Sequence, residues 1–335
     1  MPAFPLIPRR AMACAALLFG AFALAAPAMA QVSPQGAAGW PTKPVRIVVG
    51  FAPGGSTDVM ARHVAQALSE ALGQTVIVDN KPGASGNIGA SDVSRAAADG
   101  YTFMIGPTSV ETANPSLFKA AVLPSRDLTP VGSVGRTQMY LVAKPQIAAK
   151  DVRELVALAK ARPGGLSYAS SGSGTAPHLA CELFKQVTGT SITHVPYRGA
   201  SPALMDVMSG QADFVCDPGI AFPHIRTGKV KLLGVVSARR SPFFPEVPTV
   251  SEQGWPGANL DIWFGMWAPN GVPPDVLARM NRELGKALAL PALKARYAEL
   301  GAEPVAMETA EFRKLLADEG AQLSGFIREQ KIVVD

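Results

Sequence analysis

The sequence predicts an α/β fold of two domains, each a mainly parallel sheet flanked by helices, with a ligand cleft between the domains. The first observation is that short apolar runs alternate with amphipathic helical segments from Pro41 onward, which is typical of β-α-β units. The second is length, because about 300 residues after an N-terminal leader suffice for two domains. The third is a pair of glycine-rich loops, one in each half of the chain, each between a predicted strand and a predicted helix.

Residues 1–30 have the pattern of a secretory signal peptide. Two arginines precede an apolar run, which ends in Ala28-Met29-Ala30, an A-x-A cleavage pattern. A membrane anchor is the alternative, but the apolar run is short for a spanning helix. We therefore predict a signal peptide at 1–30, a flexible leader of small and polar residues at 31–40, and an exported protein.

The charge balance argues against two classes of partner. The full chain has 31 basic and 26 acidic residues, a formal net charge of +5. Removal of residues 1–30 takes away two arginines and leaves 29 basic residues, so the net charge falls to about +3. Because this excess is mild and forms no basic cluster, we predict neither a nucleic-acid partner nor binding to a membrane surface.

Strands and helices alternate in the first predicted domain. Strands are predicted at 45–50, 75–79 and 101–105, and helices at 58–72 and 90–98 lie between them. This order predicts parallel strands whose carboxyl ends share one edge of the sheet. Ligands of open parallel sheets lie beyond that edge.

The later elements are predicted to form a second domain and then to return to the first. Residues 131–144 are predicted as a strand that leads into domain 2. Domain 1 is predicted at 41–138 and 262–335, and domain 2 at 139–261. The other predicted elements are helices at 151–161, 179–188, 203–209, 275–288, 292–300 and 310–330 and strands at 166–169, 192–196, 212–216, 231–237 and 262–269.

The loop after the first strand is the first candidate binding element. It reads Phe51-Ala52-Pro53-Gly54-Gly55-Ser56-Thr57-Asp58. The two glycines permit a tight turn with uncovered N–H groups, and the helix start adds unpaired donors and partial positive charge, which suits an anion. Phe51 is either a pocket wall or part of the core, and Asp58 is expected to cap the helix. An ordinary capped turn is the alternative, and without a Gly-Lys-Ser/Thr ending the loop is not a nucleotide P-loop.

A second loop, at 170–178, repeats this arrangement in the other half of the chain. It is rich in glycine and hydroxyl groups, and Pro177 suits the first turn of the helix that follows. Together the two loops predict one ligand held between two helix N-termini. His178 either donates a hydrogen bond to that ligand or has a packing or capping role. Neither loop contains the G-x-S-x-G motif of hydrolases.

Four further residues follow predicted strands. Thr108 and Ser109 are either hydroxyl donors to the ligand or helix caps. Asp217 either accepts a hydrogen bond from the ligand or braces a loop. Arg198 either supplies a charge to a dicarboxylate or ties a surface turn together.

Cysteine and histidine positions define what other chemistry is expected. Cys181 and Cys216 remain after removal of the signal peptide. An oxidising compartment permits a disulfide between them, and two buried free thiols are the alternative. The histidines are isolated in the sequence, and H-E-x-x-H and C-x-x-C motifs are absent from it. We therefore predict no metal, no cofactor and no catalytic residues.

An ordered set of short motifs extends over nearly all of the mature chain, and it resembles one family. Each motif alone is weakly specific, whereas the ordered set is highly specific. The motifs are Trp40-Pro41-x-Lys43-Pro44, Phe51-x-Pro53-Gly54-Gly55-x-x-Asp58, Asn80-Lys81-Pro82-Gly83, Gly86-Asn87-Ile88-Gly89, Asp99-Gly100-Tyr101, Asn114-Pro115-Ser116-Leu117, Ser171-Gly172-x-Gly174, His178-Leu179-Ala180, Val195-Pro196-Tyr197-Arg198-Gly199, Pro223-His224-Ile225, Gly228-Lys229 and Val247-Pro248-Thr249. With them the chain resembles the periplasmic substrate-binding proteins of tripartite tricarboxylate transporters, also called Bug receptors.

The resemblance implies a function and a set of site residues. It implies a periplasmic-binding-protein-like fold that closes on a small carboxylate and delivers it to a membrane permease, and we expect a monomer. The alternatives are an exported hydrolase or isomerase of small organic acids that uses His178 or Asp217, and a ligand sensor that feeds a signalling kinase. Cys181 and Cys216 depart from the family pattern. The implied ligand-binding residues are Phe51, Ala52, Gly54, Gly55, Asp58, Thr108, Ser171, Gly174, Thr175, His178 and Asp217.

Overall fold

The computed structural model describes residues 39–119, 124–330, 332 and 334. The predicted signal peptide and most of the predicted leader therefore lie outside the described residues. The strands in this part of the chain are β1 (Val45–Val49), β2 (Val76–Asn80), β3 (Thr102–Pro107), β4 (Leu128–Thr137), β5 (Tyr140–Ala143), β6 (Ser167–Ser170), β7 (Thr193–Pro196), β8 (Phe214–Asp217), β9 (Lys231–Val235), β10 (Ile262–Pro269) and β11 (Ala302–Glu303).

These strands form two sheets. The order of the first sheet is β11-β4-β10-β3-β1-β2, and that of the second is β7-β6-β8-β5-β9. In the first, β1 pairs in parallel with β2 and β3, and β4 runs in the same direction because β3 and β4 are both antiparallel to β10. In the second, β6 is parallel to β7 and β8, and β5 is antiparallel to β8 and β9. Each sheet is thus mainly parallel with one antiparallel strand inserted, apart from the two-residue edge strand β11.

The inserted strands follow the two passages of the chain between the sheets. Gln138 and Met139 connect β4 to β5, and residues 236–261 connect β9 to β10. The single strand predicted at 131–144 is therefore divided in two, because the chain changes sheets at its middle. The bounds of the two predicted domains stay a prediction.

Helices cover both faces of the sheets. The four helices that follow glycine-containing loops begin two or three residues earlier than predicted, because their first turns consist of loop residues with no apolar period. The helices are α1 (Ser56–Leu72), α2 (Asn87–Ser94), α3 (Ser109–Thr112), α4 (Asn114–Leu117), α5 (Pro124–Asp127), α6 (Val152–Ala161), α7 (Ala176–Thr188), α8 (Ala200–Ser209), α9 (Phe222–Arg226), α10 (Pro274–Ala289), α11 (Pro291–Glu299) and α12 (Thr309–Glu329).

Alternate residues of the central strands enter different apolar cores. Ile47 of β1 packs in the core that contains Met60 of α1 and Leu284 of α10. Its neighbour Val48 points to the other face, into a core with Trp267 of β10 and Phe312 of α12. This alternation follows from the two-residue period of a strand. The C-terminal helices α10 and α12 therefore pack on the first sheet, as predicted.

Trp40, the last residue of the predicted flexible leader, is part of the folded structure. Its side chain is buried, its Nε1 donates a hydrogen bond to the Gly100 carbonyl at 3.1 Å, and its ring packs on Tyr101 and Phe103. Burial of a large aromatic side chain is strongly favourable. The prediction of a flexible leader that includes residue 40 is wrong at this position.

A disulfide links α7 to the second sheet. Cys181 of α7 and Cys216 of β8 are bonded, with their Cα atoms 5.9 Å apart, inside the usual range for such bridges. Of the two alternatives left open by the sequence, the structure contains the bridge.

Candidate functional site

A cavity of about 550 Å³ lies where the loops after four parallel strands meet. These loops follow β1, β2, β6 and β7, so strands of both sheets direct their carboxyl ends to it. The position agrees with the rule for open parallel sheets. The described lining residues are 50–52, 82–86, Phe118, 171–173 and 197–199.

A smaller pocket of about 40 Å³ shares part of this lining, and we call it the inner pocket. Its walls include the first turns of α1, α7 and α8, at Ser56, Ala176 and Ala200 respectively. First-turn N–H groups have no partner inside their own helix, and a helix N-terminus carries partial positive charge. The volume suffices for roughly three waters, or about one carboxylate group.

Each glycine loop contacts a neighbouring loop across the cleft. Ser85 donates from Oγ to the Ser173 carbonyl at 2.5 Å, and Ser56 donates to the Pro218 carbonyl at 3.3 Å. A Cβ on Gly199 would lie 3.2 Å from the Cβ of Ala52. The lining residues of the two sheets are therefore in direct contact around the cavity.

Each glycine loop is braced by a side chain from the helix that follows it. The Gly54 N–H donates to Asp58 Oδ2 at 2.9 Å, and the Gly174 N–H donates to His178 Nδ1 at 3.0 Å. Both glycines have positive φ angles, +81° and +80°, which favour glycine. The N–H groups of these two glycines are consequently engaged inside the protein, in contrast to the uncovered donors that the sequence suggested.

Asp58 holds the first loop through several donors. Its carboxylate also accepts hydrogen bonds from Arg62 Nε at 3.0 Å and Asn80 Nδ2 at 2.9 Å. Burial acts to raise the pKa of Asp58, but the hydrogen bonds from Arg62, Gly54 and Asn80 outweigh it and hold the pKa below its usual range. Asp58 is not the N-cap, which is Gly55; it reaches back from the first turn and remains ionised.

His178 and His194 stack behind the second loop. Their ring centroids are 4.1 Å apart, and His194 also stacks on Tyr168 at 4.8 Å. His194 Nε2 is hydrogen-bonded to Ser170 Oγ at 2.7 Å. Burial lowers the pKa of His178, and burial together with His178 lowers the pKa of His194 to about 4. Both rings are therefore neutral at neutral pH and serve as braces.

The structure separates the predicted site residues into two groups. Phe51, Ala52 and Ser171 line both pockets, and Gly55 and Thr175 line the inner pocket. The second group lines neither pocket. Asp58 and His178 brace the loops from behind, and Gly54 and Gly174 donate the N–H groups that these two side chains accept.

Thr108 and Asp217 lie behind the cleft as well. Thr108 is buried, and its Oγ1 donates to the Trp263 carbonyl at 3.3 Å. Asp217 is buried and accepts from the Gly219 and Ala221 N–H groups at 2.7 and 3.0 Å. Burial raises the pKa of Asp217 to about 6 despite these hydrogen bonds. For Asp217, the geometry therefore favours bracing of its own loop over a hydrogen bond to the ligand.

Three parts of the cavity wall are absent from the implied ligand-binding residues, although the sequence also offers Arg198, in one of these parts, as a charge for a dicarboxylate. They are the loop at 82–86, Phe118, and the turn Tyr197-Arg198-Gly199 before α8. The turn had a usable signal, because it too joins a predicted strand to a predicted helix through a glycine. Phe118 had none, since it is distant in sequence from every glycine loop.

Two features are absent from the part of the chain that the structure describes. None of its helices combines the length and apolar character that a membrane crossing requires. None of its histidine, cysteine, aspartate and glutamate side chains form a group of three or more suited to a metal ion.

The protein has two mixed sheets flanked by helices, and the chain passes twice between them. A cleft lies at the carboxyl ends of the parallel strands. This is the architecture of a two-lobed solute-binding protein. Comparison with known proteins agrees. The family model described as "Tripartite tricarboxylate transporter family receptor" matches residues 60–332. The chain belongs to this family, which is one of transporter receptors and not of enzymes.

Individual relatives match over most of their length. Protein BugT of Bordetella pertussis is 37% identical over 305 residues, which are 89% of this chain and 92% of BugT. A solved structure of the periplasmic binding protein BugD is 34% identical with a TM-score of 0.84, covering 88% of this chain and all of that one. A structure of R. palustris Rpa4515 with adipate is 34% identical with a TM-score of 0.85, covering 88% and 99%.

Proposed function

We propose that this protein is a periplasmic receptor that captures a small carboxylate in the cleft and delivers it to the membrane permease of a tripartite transporter. The observation that carries the proposal is the inner pocket, where the N-termini of α1, α7 and α8 converge. No charged side chain is among the described residues that line it. An anion is the ligand that three such helix starts favour.

The shape of the two pockets suggests how the ligand lies. Its carboxylate occupies the inner pocket, where first-turn N–H groups of the surrounding helices are donors. The rest of the ligand extends into the larger cavity, whose walls include the apolar side chains of Phe51, Pro82 and Phe118. Such a mixture of an apolar wall and a few placed donors is usual for small-molecule sites.

The remaining parts of the proposal concern location and cargo release. The predicted signal peptide at 1–30 would export the chain, and its relative BugD is a periplasmic binding protein. Rpa4515, the relative solved with adipate, provides a precedent for a carboxylate ligand. Because the inner pocket holds an anion with dipoles rather than ion pairs, the carboxylate remains releasable to the permease. We propose that the receptor acts as a monomer.

Calorimetry on protein purified from the periplasm of an expression host tests the proposal. After ligand removal by unfolding and refolding, the protein is titrated with mono-, di- and tricarboxylates and with the matching neutral amides. Binding of a carboxylate at a hundredfold its Kd also raises stability by about 2.7 kcal/mol. Binding confined to neutral amides would contradict the proposal.

Gly55→Val is the variant that tests the inner pocket. Gly55 has φ −80° and ψ 166°, which valine can adopt, and a Cβ there would meet Ala52 O at 3.8 Å and Ala200 Cβ at 4.0 Å, so the backbone accepts the change. The added methyl groups would fill much of the inner pocket, and we expect carboxylate binding to be lost. Gly325→Val is the control, because a Cβ at this glycine of α12 meets nothing within 4 Å. Retained affinity in a folded Gly55→Val protein would remove the inner pocket from the proposal.

A further inference from the structure

Arg198 is the charged residue among the described residues that line the two pockets. It lies on the wall of the larger cavity, and the other lining side chains are apolar, hydroxylic or phenolic. The guanidinium group is exposed and forms no ion pair with any residue that the structure describes. A cation without a partner beside a cavity is available to a ligand.

The turn that carries Arg198 is held by its neighbours and does not need the arginine. The Tyr197 N–H donates to the Ser170 carbonyl at 3.0 Å, and the Tyr197 hydroxyl donates to Asp206 Oδ2 at 2.6 Å. On the other side, Gly199 approaches Ala52 so closely that a Cβ would lie 3.2 Å from the alanine Cβ. Of the two roles open for Arg198, tying the turn is therefore already performed by other groups.

We propose that Arg198 binds the second acidic group of a short-chain dicarboxylate whose first carboxylate occupies the inner pocket. This inference rests on the proposed function and names its substrate class. Gly199, the residue next to Arg198, lines both pockets, so Arg198 belongs to a turn at the junction between them. A ligand whose two acid groups are separated by a few carbon atoms can place one in the inner pocket and the other at Arg198.

The chemistry of the two subsites differs, which gives the site its selectivity. The inner pocket offers dipoles and backbone donors to any carboxylate. Arg198 offers a planar guanidinium with several N–H donors, which suits a carboxylate better than a neutral amide or a methyl group. A monocarboxylate would bind in the inner pocket alone, and a dicarboxylate would engage both subsites.

A cycle of two proteins and two ligands isolates the contribution of Arg198. Succinate, glutarate and adipate are each compared with their monoamides by calorimetry, in wild-type protein and in Arg198→Gln. We expect wild type to prefer at least one diacid over its monoamide by about tenfold or more, as a charge-assisted hydrogen bond would give. In Arg198→Gln we expect that preference to disappear while monoamide affinity stays within about threefold.

Arg162→Gln is the matched control. Arg162 is an exposed arginine that ends α6 and lines neither pocket. We expect its diacid preference to equal that of wild type. Arg198→Lys, which keeps the charge but loses the planar group, should retain part of the preference.

The outcomes separate this inference from the proposed function. If wild type binds carboxylates but does not distinguish diacids from monoamides, or if Arg198→Gln keeps the preference, the role of Arg198 is refuted and the receptor assignment stands. Equal weakening of diacid and monoamide in Arg198→Gln would also refute it. If no carboxylate binds the wild-type protein, the proposed function and the inference are both overturned.

Discussion

Two side chains of different chemistry each brace one of the two glycine loops. Asp58 and His178 each lie four residues after the glycine whose N–H they accept, Gly54 and Gly174. A residue four positions on reaches back over the first turn of the helix. The aspartate is ionised and paired with Arg62, whereas the histidine is neutral and stacked on His194. Burial lowers the pKa of His178, so the second loop is braced by a neutral ring and the first by a charged carboxylate.

We expect the stability of the folded protein to fall as the pH decreases from about 6.5 to about 4. The pKa of His194 is lowered from about 6.5 to about 4 by burial and by His178. The unfolded chain therefore takes up the proton first, and the stabilisation is complete above about 6.5 and lost through this window. The expected loss is up to about 3 kcal/mol, measured by urea unfolding at a series of pH values.

His194→Gln distinguishes this cause from general acid unfolding. Glutamine removes the titrating ring and keeps a polar group near Ser170, so we expect a smaller loss of stability over the same pH range. His224→Gln is the control, because His224 lies on α9 outside the stack. An unchanged pH profile in His194→Gln would show that the stacked histidines do not determine the acid sensitivity.

At the scale of elements, one arrangement of strand, tight turn and helix occurs three times around the cleft. β1 leads to α1, β6 to α7 and β7 to α8, and the three helix starts line the inner pocket. Close approach of glycine backbones holds the neighbouring loop in place: a Cβ on Gly50 would lie only 2.7 Å from the Gly86 Cα. The disulfide fixes α7 against β8 and so supports the second of these units.

We expect reduction of the disulfide to destabilise the protein. The bridge closes a loop with a sequence separation of 35 residues, which by chain entropy stabilises the folded state by about 4 kcal/mol. Thermal unfolding with and without a strong reductant should show a lower midpoint after reduction. The Cys181→Ser/Cys216→Ser double variant should unfold at a similarly low temperature and be insensitive to the reductant. Equal midpoints for oxidised and reduced wild type would contradict the expectation.

At the scale of the whole molecule, two passages of the chain join the sheets, and a few direct contacts close the cleft. Ser85 to Ser173 and Ser56 to Pro218 are hydrogen bonds between residues of the two sides. Each is a single hydrogen bond, which contributes about 1 kcal/mol net to the stability of the closed arrangement. Contacts of this strength allow the cleft to open and to be closed by the additional interactions of a ligand.

We expect Ser85→Ala to weaken ligand binding while leaving the free energy of unfolding nearly unchanged. The substitution removes the hydrogen bond to the Ser173 carbonyl and so destabilises the closed arrangement by about 1 kcal/mol, or roughly fivefold in Kd. Calorimetry with a bound carboxylate measures the effect. Ser94→Ala is the control, since the Ser94 hydroxyl donates within α2 to Ser91. If both variants bind as tightly as wild type, the contact between Ser85 and Ser173 does not contribute to closure.

The sequence by itself determined the element order, the mainly parallel sheets and the positions of two glycine loops, because apolar period, glycine and helix starts are local properties of the chain. The motif set also identified the family, which the comparisons confirmed. Only the tertiary structure decided that the Gly54 and Gly174 N–H groups are engaged by Asp58 and His178, and that α8 adds a third helix start. It also decided that Cys181 bonds to Cys216 and that Arg198 stands without an ion pair among the described residues. These facts depend on contacts between segments far apart in the chain, which no local pattern contains.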